Sequence, residues 1–179
     1  MKKYLMYSGL GLAFAIASCT NSNSTADKEV AKASLNSTAN NASIGSVKFY
    51  SLADGKVKMD LEIDFAAKAD STVAVHFHEH GDCGNMGENA HGHWNPTNEP
   101  HGKWGSANYH SGDIGNIQLD NKGKATLSIT TDRWNAIAGD AKSIIGRGII
   151  VHGGTDDYTT QPTGNSGPRV GCGVIEVSK

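Results

Sequence analysis

The chain is poor in several features that would mark other classes of protein. Four prolines and no long helical period, set against 22 glycines, argue for a turn-rich all-β domain rather than a helical one. There is no basic run and no interleaved aromatic stripe, and aromatics make up only 7% of residues, which argues against nucleic acid as a partner. The formal net charge is a mild −2. The N-terminal apolar stretch through Leu10, Leu12, Phe14 and Ile16 is too short and too rich in small residues for a membrane span. Cysteines number only three, an odd count that leaves one to be explained apart from any disulfide.

That apolar stretch follows Met1-Lys2-Lys3 and ends in small residues, the pattern of an export signal. Ile16-Ala17-Ser18-Cys19 resembles a bacterial lipobox, in which the cysteine is lipidated and becomes the mature N-terminus. The expected organisation is a signal peptide over residues 1–18, a lipidated N-terminus and disordered tether over 19–43, and a single domain over 44–179. Residues 20–43 are mostly Asn, Ser, Thr and Ala with no apolar period, the composition of a flexible tether. The sequons at Asn23, Asn36 and Asn41 are read as accidents of that composition. The expected location is the periplasmic side of a bacterial envelope, anchored to the membrane by lipid.

Against these scarcities the chain has eight histidines. Six of them, with one aspartate, are spaced as His76-x-His78, then His93, His101, His110 and Asp113, and finally His152. Imidazole is a common ligand for borderline transition metals, and seven donors exceed what one ion can use. Two metals sharing a ligand would account for the count. His93, His101, His110 and Asp113 form a His3Asp set of the kind zinc accepts. His76, His78, His93 and His152 form an all-imidazole set better suited to copper. His93 belongs to both if its two ring nitrogens bind different metals, which requires the ring to lose its second proton, an anion two nearby dications would stabilise.

From Ser71 to His80, Val73, Val75 and Phe77 alternate with Ala74, His76, His78 and His80, the period of a half-buried strand with its histidines outward. The stretch from Glu79 to Asp113 lacks periodicity and is rich in Gly, Asn and His, as expected of a functional loop that covers them. Val57, Met59, Leu61, Ile63 and Phe65 alternate with Lys58, Asp60, Glu62 and Asp64. With the turn Ala53-Asp54-Gly55-Lys56, they predict a hairpin of residues 45–52 with 56–65. Asp120-Asn121-Lys122-Gly123 predicts the same between 115–119 and 124–130. Arg147 to His152 and Gly171 to Val177 supply the last strands, and Asp132 to Asp140 a short helical turn. The whole predicts an eight-stranded antiparallel Greek-key barrel or sandwich with long loops at the site.

At this point the chain resembles the bacterial copper/zinc superoxide dismutases. The residues that carry the likeness are His-Phe-His-Glu at 76 to 79, Gly-Asp-Cys at 81 to 83 and His-Trp-Asn-Pro at 93 to 96. They continue with His101-Gly, His110-Ser-Gly-Asp-Ile-Gly-Asn, Ile144-Ile-Gly-Arg, Val151-His152 and Gly167-Pro-Arg-Val-Gly-Cys-Gly-Val-Ile, in the family's order over roughly residues 44–179. The resemblance implies copper and zinc, one each per chain, and conversion of superoxide to dioxygen and hydrogen peroxide. It implies a catalytic role for His93 as a bridge that stores a proton, and for Arg169 as the guide of a small anion. It implies that Asp156 joins His76 and His101 by hydrogen bonds.

The resemblance also implies a disulfide from the metal loop to the last strand, here Cys83 with Cys172, which leaves Cys19 for lipid. A homodimer is compatible with it. His80 and His91 are expected to bind neither metal, because both sets are complete without them. The segment from Gly153 to Pro168 lacks the paired glutamates and the lysine that eukaryotic members use for steering, and offers Asp156, Asp157, Tyr158 and Gln161 instead. The main alternative is a non-catalytic envelope protein that stores copper and zinc, which would need the ligands but not Arg169. A copper-only relative is disfavoured by the presence of His101, His110 and Asp113.

Overall fold

A computed structural model of the chain describes Met1 and residues 27–179, so the export signal, Cys19 and Asn23 lie outside the described residues. Among the described residues no helix is long and apolar enough to cross a membrane.

The sequence patterns build strands where one face has an apolar core to meet. In β3, Val57–Asp64, the buried side chains of Val57, Met59, Leu61 and Ile63 alternate with Lys58, Asp60, Glu62 and Asp64, as its period of two requires. It pairs with β2, Ser43–Ser51, in the predicted hairpin. The other strands are β1 (Lys28–Ser37), β4 (Thr72–His78), β5 (Asp113–Gln118), β6 (Lys124–Thr131), β7 (Gly148–His152), β8 (Arg169–Val174) and the short β9 (Glu176–Val177). They run in the order β5-β4-β7-β8-β1-β2-β3-β6, with β9 on β1, and every pairing is antiparallel. The chain crosses the barrel between β3 and β4 and again between β6 and β7, which makes the topology a Greek key.

Three expectations need correction. The tether does not extend to residue 43, because Lys28–Ser37 is strand β1 between β8 and β2, and the folded domain begins well before residue 44. Its buried apolar residues are only Ala31, Ala33 and Leu35, too faint a period to see, yet without β1 the edges of β2 and β8 would be left unpaired. The turn at Asp120–Gly123 forms, with Gly123 N–H donating to the Asp120 carbonyl at 2.9 Å. However, β5 and β6 are the two ends of the strand order and form no ladder, so the barrel is nearly closed rather than closed there. No helix forms over 132–140, where Trp134 is drawn into the core and Asn135 bridges to Ser143. The 3₁₀ stretches lie instead at Ala66–Lys68 and Asn85–Ala90. Eight strands make up the expected barrel order, and the two-residue β9 adds to them by pairing with β1.

The core lies inside the barrel. Phe49, Phe77 and Trp134 meet there, with ring centroids 5.8 Å apart for Phe49 and Phe77 and 5.2 Å for Phe77 and Trp134. Trp134 also donates its indole N–H to the Ser111 carbonyl at 2.8 Å, tying the core to the segment between His110 and Asp113. β4 is buried on both faces from Val73 to His78: Val73, Val75 and Phe77 join the core, while Ala74, His76 and His78 meet the loop that follows.

Candidate metal centre

Strand register brings the donors together. β4 carries His76 and His78 one residue apart, so both project from one face. The ladder to β5 sets His76 across from Asp113, and the ladder to β7 sets Ala74 across from His152, one diagonal step from His76. At the last residue of β4, an isolated bridge sets His78 across from His93. The loop is clipped back onto β4 by Trp94 N–H to the Phe77 carbonyl and Phe77 N–H to the Gly112 carbonyl, both at 2.8 Å. A disulfide joins Cys83 to Cys172 with Cα atoms 5.7 Å apart, fastening the loop to β8.

All seven predicted donors are buried and fall into two groups, His76, His78, His93, His152 and His93, His101, His110, Asp113. Within each group the ligand atoms lie within 4.8 Å of one another. His93 stands in both, with Nδ1 2.8 Å from Asp113 Oδ1. His101 Nδ1 and His110 Nδ1 lie 3.0 and 3.2 Å from oxygens of the same carboxylate. On the other side, His78 Nε2 and His152 Nε2 converge at 3.4 Å.

The outer nitrogens show how each ring is held. His78 Nδ1 donates to the His91 carbonyl at 2.8 Å and His152 Nδ1 to the Gly167 carbonyl at 3.1 Å, which leaves both Nε2 atoms as acceptors facing inward. Asp156 takes His76 Nε2 on one oxygen and His101 Nε2 on the other, both at 2.9 Å. That leaves Nδ1 of each ring facing inward.

This geometry fits metal ions. His76 Nδ1 and His93 Nε2 are buried and have no hydrogen-bond partner, a costly state unless a ligand completes them, while His101 Nδ1 and His110 Nδ1 face only the shared Asp113 carboxylate. Burial pushes the His76 ring down to about 3 and His152 to about 4, and pushes His78 further down, so these rings are neutral near pH 7, the form that binds metal. His101 differs. Burial works against its charge, but Asp113 and Asp156 on its two sides outweigh burial and hold the ring up to about 9. Burial works against the Asp113 carboxylate, but hydrogen bonds to His101, His110 and His93 outweigh it and hold the group well below the usual carboxylate range, so positive charge is favoured beside it, and a dication can supply that charge in place of a proton.

Several supporting residues carried no readable signal. Asn116 grips Asp156 on both sides, donating Nδ2–H to its carbonyl and accepting its N–H at Oδ1, each at 2.8 Å. Gln161 brackets the backbone of His101 with two hydrogen bonds of 2.9 Å. Gly164, at φ +70°, approaches so closely that a Cβ there would sit 1.9 Å from Asp156 Oδ1. These contacts join residues 40 or more positions apart, or depend on a backbone approach that composition does not reveal. Of the residues offered in place of the steering charges, Asp157 caps Thr159 and Thr160, and Tyr158 accepts the Asn116 N–H at its hydroxyl.

Asp156→Asn separates the two jobs this side chain could have. Asparagine can still accept the Tyr158 N–H, which Asp156 now does at 2.7 Å, but it cannot accept from both rings. Metal affinity is expected to fall about 10–100-fold in competition with a chromogenic chelator. A change smaller than about threefold would reduce Asp156 to a loop cap.

Arg169, at the start of β8, lines a cavity of about 340 Å³ together with His78, His93, His152, Glu88 and Thr163. It donates to the Gly87 carbonyl at 2.6 Å and the His91 carbonyl at 2.7 Å, and its Nε lies 3.6 Å from Glu88. Its charge is among the causes that lower His78 and His152. His80 and His91 belong to neither buried group.

The sequence pattern of the copper/zinc superoxide dismutase family (SODC) matches residues 43–175, beginning just after β1. Cu-Zn superoxide dismutase 1 of Aquifex aeolicus is 35% identical over 108 residues, 58% of this chain and 64% of that protein. The chain thus spans slightly less than two thirds of that relative. The Cu-Zn superoxide dismutase of Humicola lutea is 41% identical over 110 residues, covering 58% of this chain and 71% of its own. Among solved structures, a double mutant of a SOD-like protein from Bacillus subtilis superposes with a TM-score of 0.72 at 27% identity, over 81% of this chain and 96% of that one. With the fold, the two buried donor groups and the matched span in agreement, the chain belongs to the copper/zinc superoxide dismutase family, whose metals are copper and zinc.

Proposed function

We propose that the protein is a superoxide dismutase that holds copper at His76, His78, His93 and His152 and zinc at His93, His101, His110 and Asp113. The observation that carries this reading is His93, whose Nδ1 faces Asp113 while its buried Nε2, without a partner, faces the three-histidine side. The balanced reaction takes two superoxide anions and two protons to dioxygen and hydrogen peroxide. When bound, copper supplies the one-electron exchange with superoxide and zinc a redox-inert positive charge.

The chain supplies the rest. His93 Nε2 takes up a proton in one half of the cycle and gives it to the product in the other, while Nδ1 stays on the Asp113 side. His78 and His152 keep Nε2 inward because backbone carbonyls hold Nδ1, and Asp156 does the same for His76 and His101. Arg169 offers a fixed charge in the wall of the cavity, and its bonds to two loop carbonyls hold the guanidinium there. Burial of every donor argues against a storage role, which favours exposed, exchangeable ligands.

The test follows superoxide decay after loading with one copper and one zinc per chain. Catalysed decay is expected, with Arg169→Ala lowering the rate about tenfold or more while copper affinity changes little. Decay no faster than that of free copper, in a sample of verified metal content, would leave only the storage reading. The lipid anchor at Cys19, the envelope location and a homodimer belong to the same proposal. Detergent partitioning of the full chain checks the anchor, and sedimentation velocity checks the dimer.

A further inference from the structure

Outside the two buried groups, a third set of donors stands on the surface at the end of β4. We propose that Glu79, His80 and His91 form a separate site for one borderline divalent transition-metal ion, of the zinc or copper(II) kind. Their ligand atoms lie within 4.8 Å of one another, and all three residues are exposed. The His80 and His91 rings stand edge to face with centroids 4.8 Å apart. Two imidazoles and a carboxylate, with the remaining positions open to water, are the donor set of an open zinc site. The set shares no residue with either buried group.

The donors are already in place. Glu79 N–H donates to the Gly92 carbonyl at 3.0 Å and His80 N–H to the Ala90 carbonyl at 3.2 Å, so the two segments carrying the ligands lie against each other as a continuation of β4. No loop needs to be ordered for the metal to bind, and ordering cost is what makes many surface sites weak.

His91 points the same way. Its backbone sits at φ 61° and ψ −139°, a region nearly reserved for glycine. That conformation aims its carbonyl at His78 Nδ1 and at the Arg169 guanidinium, at 2.8 and 2.7 Å. A glycine would present the same carbonyl without strain. What histidine adds is a ring, and that ring stands against His80.

Nearby charges limit the affinity without blocking the site. Arg147 donates to the Glu79 backbone carbonyl at 2.8 Å, which leaves the carboxylate free for a cation, though its positive charge opposes one. Arg169 is directed toward Glu88 and the two loop carbonyls instead. The site should therefore bind more weakly than the buried sets and exchange its ion faster.

The test is calorimetric titration of zinc chloride into protein whose two buried sets are already filled and whose excess metal has been removed. One further zinc per chain is expected. The pair Glu79→Gln with His80→Gln should weaken this step at least about tenfold, a loss of about 1.4 kcal/mol, and leave the content of the buried sets unchanged. His80→Gln alone, which leaves the His91 backbone untouched, should weaken it in the same direction. Absence of a third equivalent in the parent protein, or an affinity within about threefold of the parent in both variants, overturns the proposal. Because the readout is binding, its failure would not bear on the dismutase reading.

Discussion

Under the proposed dismutase function, replacement of His93 by alanine is expected to lower superoxide consumption by the loaded protein about 10²–10⁴-fold, the range over which a positioned proton donor contributes. The reason is its place in both donor groups. His76, His78 and His152 still offer three imidazoles, and His101, His110 and Asp113 still offer two imidazoles and a carboxylate, so each side retains enough donors to hold an ion. What disappears is the ring whose two nitrogens face both donor groups, and with it the proton that the proposed cycle carries at Nε2. Elemental analysis at saturating metal should return close to the parent stoichiometry while the rate collapses. A rate within about threefold of the parent at full metal content would remove His93 from the chemistry. Loss of both metals together with the rate would make it a structural ligand only.

Cys83→Ala with Cys172→Ala should produce the largest stability change. The bridge closes a loop of 89 residues, for which the chain-entropy model assigns about 4–5 kcal/mol. That is a large fraction of the roughly 5–15 kcal/mol that holds a domain folded. At about 2–4 °C per kcal/mol for a chain of this size, the midpoint of thermal unfolding should fall by about 8–20 °C at equal metal loading. A drop under about 2 °C would mean the loop is held without the bridge. A second consequence follows from where Cys172 lies. It shares β8 with Arg169, and Arg169 reaches back to Gly87 and His91 in the same loop that Cys83 anchors. The double variant should therefore lose rate at temperatures where it is still folded.

Both predictions rest on residues that can be read from the chain, while the supports of the site cannot. The six histidines and Asp113 stood out because chemistry limits which side chains bind transition metals and because His76-x-His78 fits one face of a strand. β3 was readable because Val, Met, Leu and Ile alternate with charged residues across a half-buried sheet. β1 was not, since its inward positions include two alanines and its outward ones match the composition of a linker. Only the open edges of β2 and β8 make it a strand. The expected helical turn at 132–140 failed for a related reason, because the burial of Trp134 against Phe77 outweighs any local preference there.

The exposed trio is a third case. His80 and His91 are set aside once the buried sets are complete, and nothing in their spacing brings Glu79 between them. The fold does so by turning the chain back after Ala90 and holding His91 in a left-handed conformation.

By itself the sequence determined the donor chemistry and the all-β class, because both follow from residue type and short-range period, while the family resemblance implied the pair of cysteines that braces the metal loop. The tertiary structure decided which nitrogen of each ring faces inward, where the domain begins and which surface histidines meet. Those outcomes depend on partners far along the chain, such as Asp156 for His76 across 80 residues, and hydrogen bonds of that range exist only once the barrel has assembled.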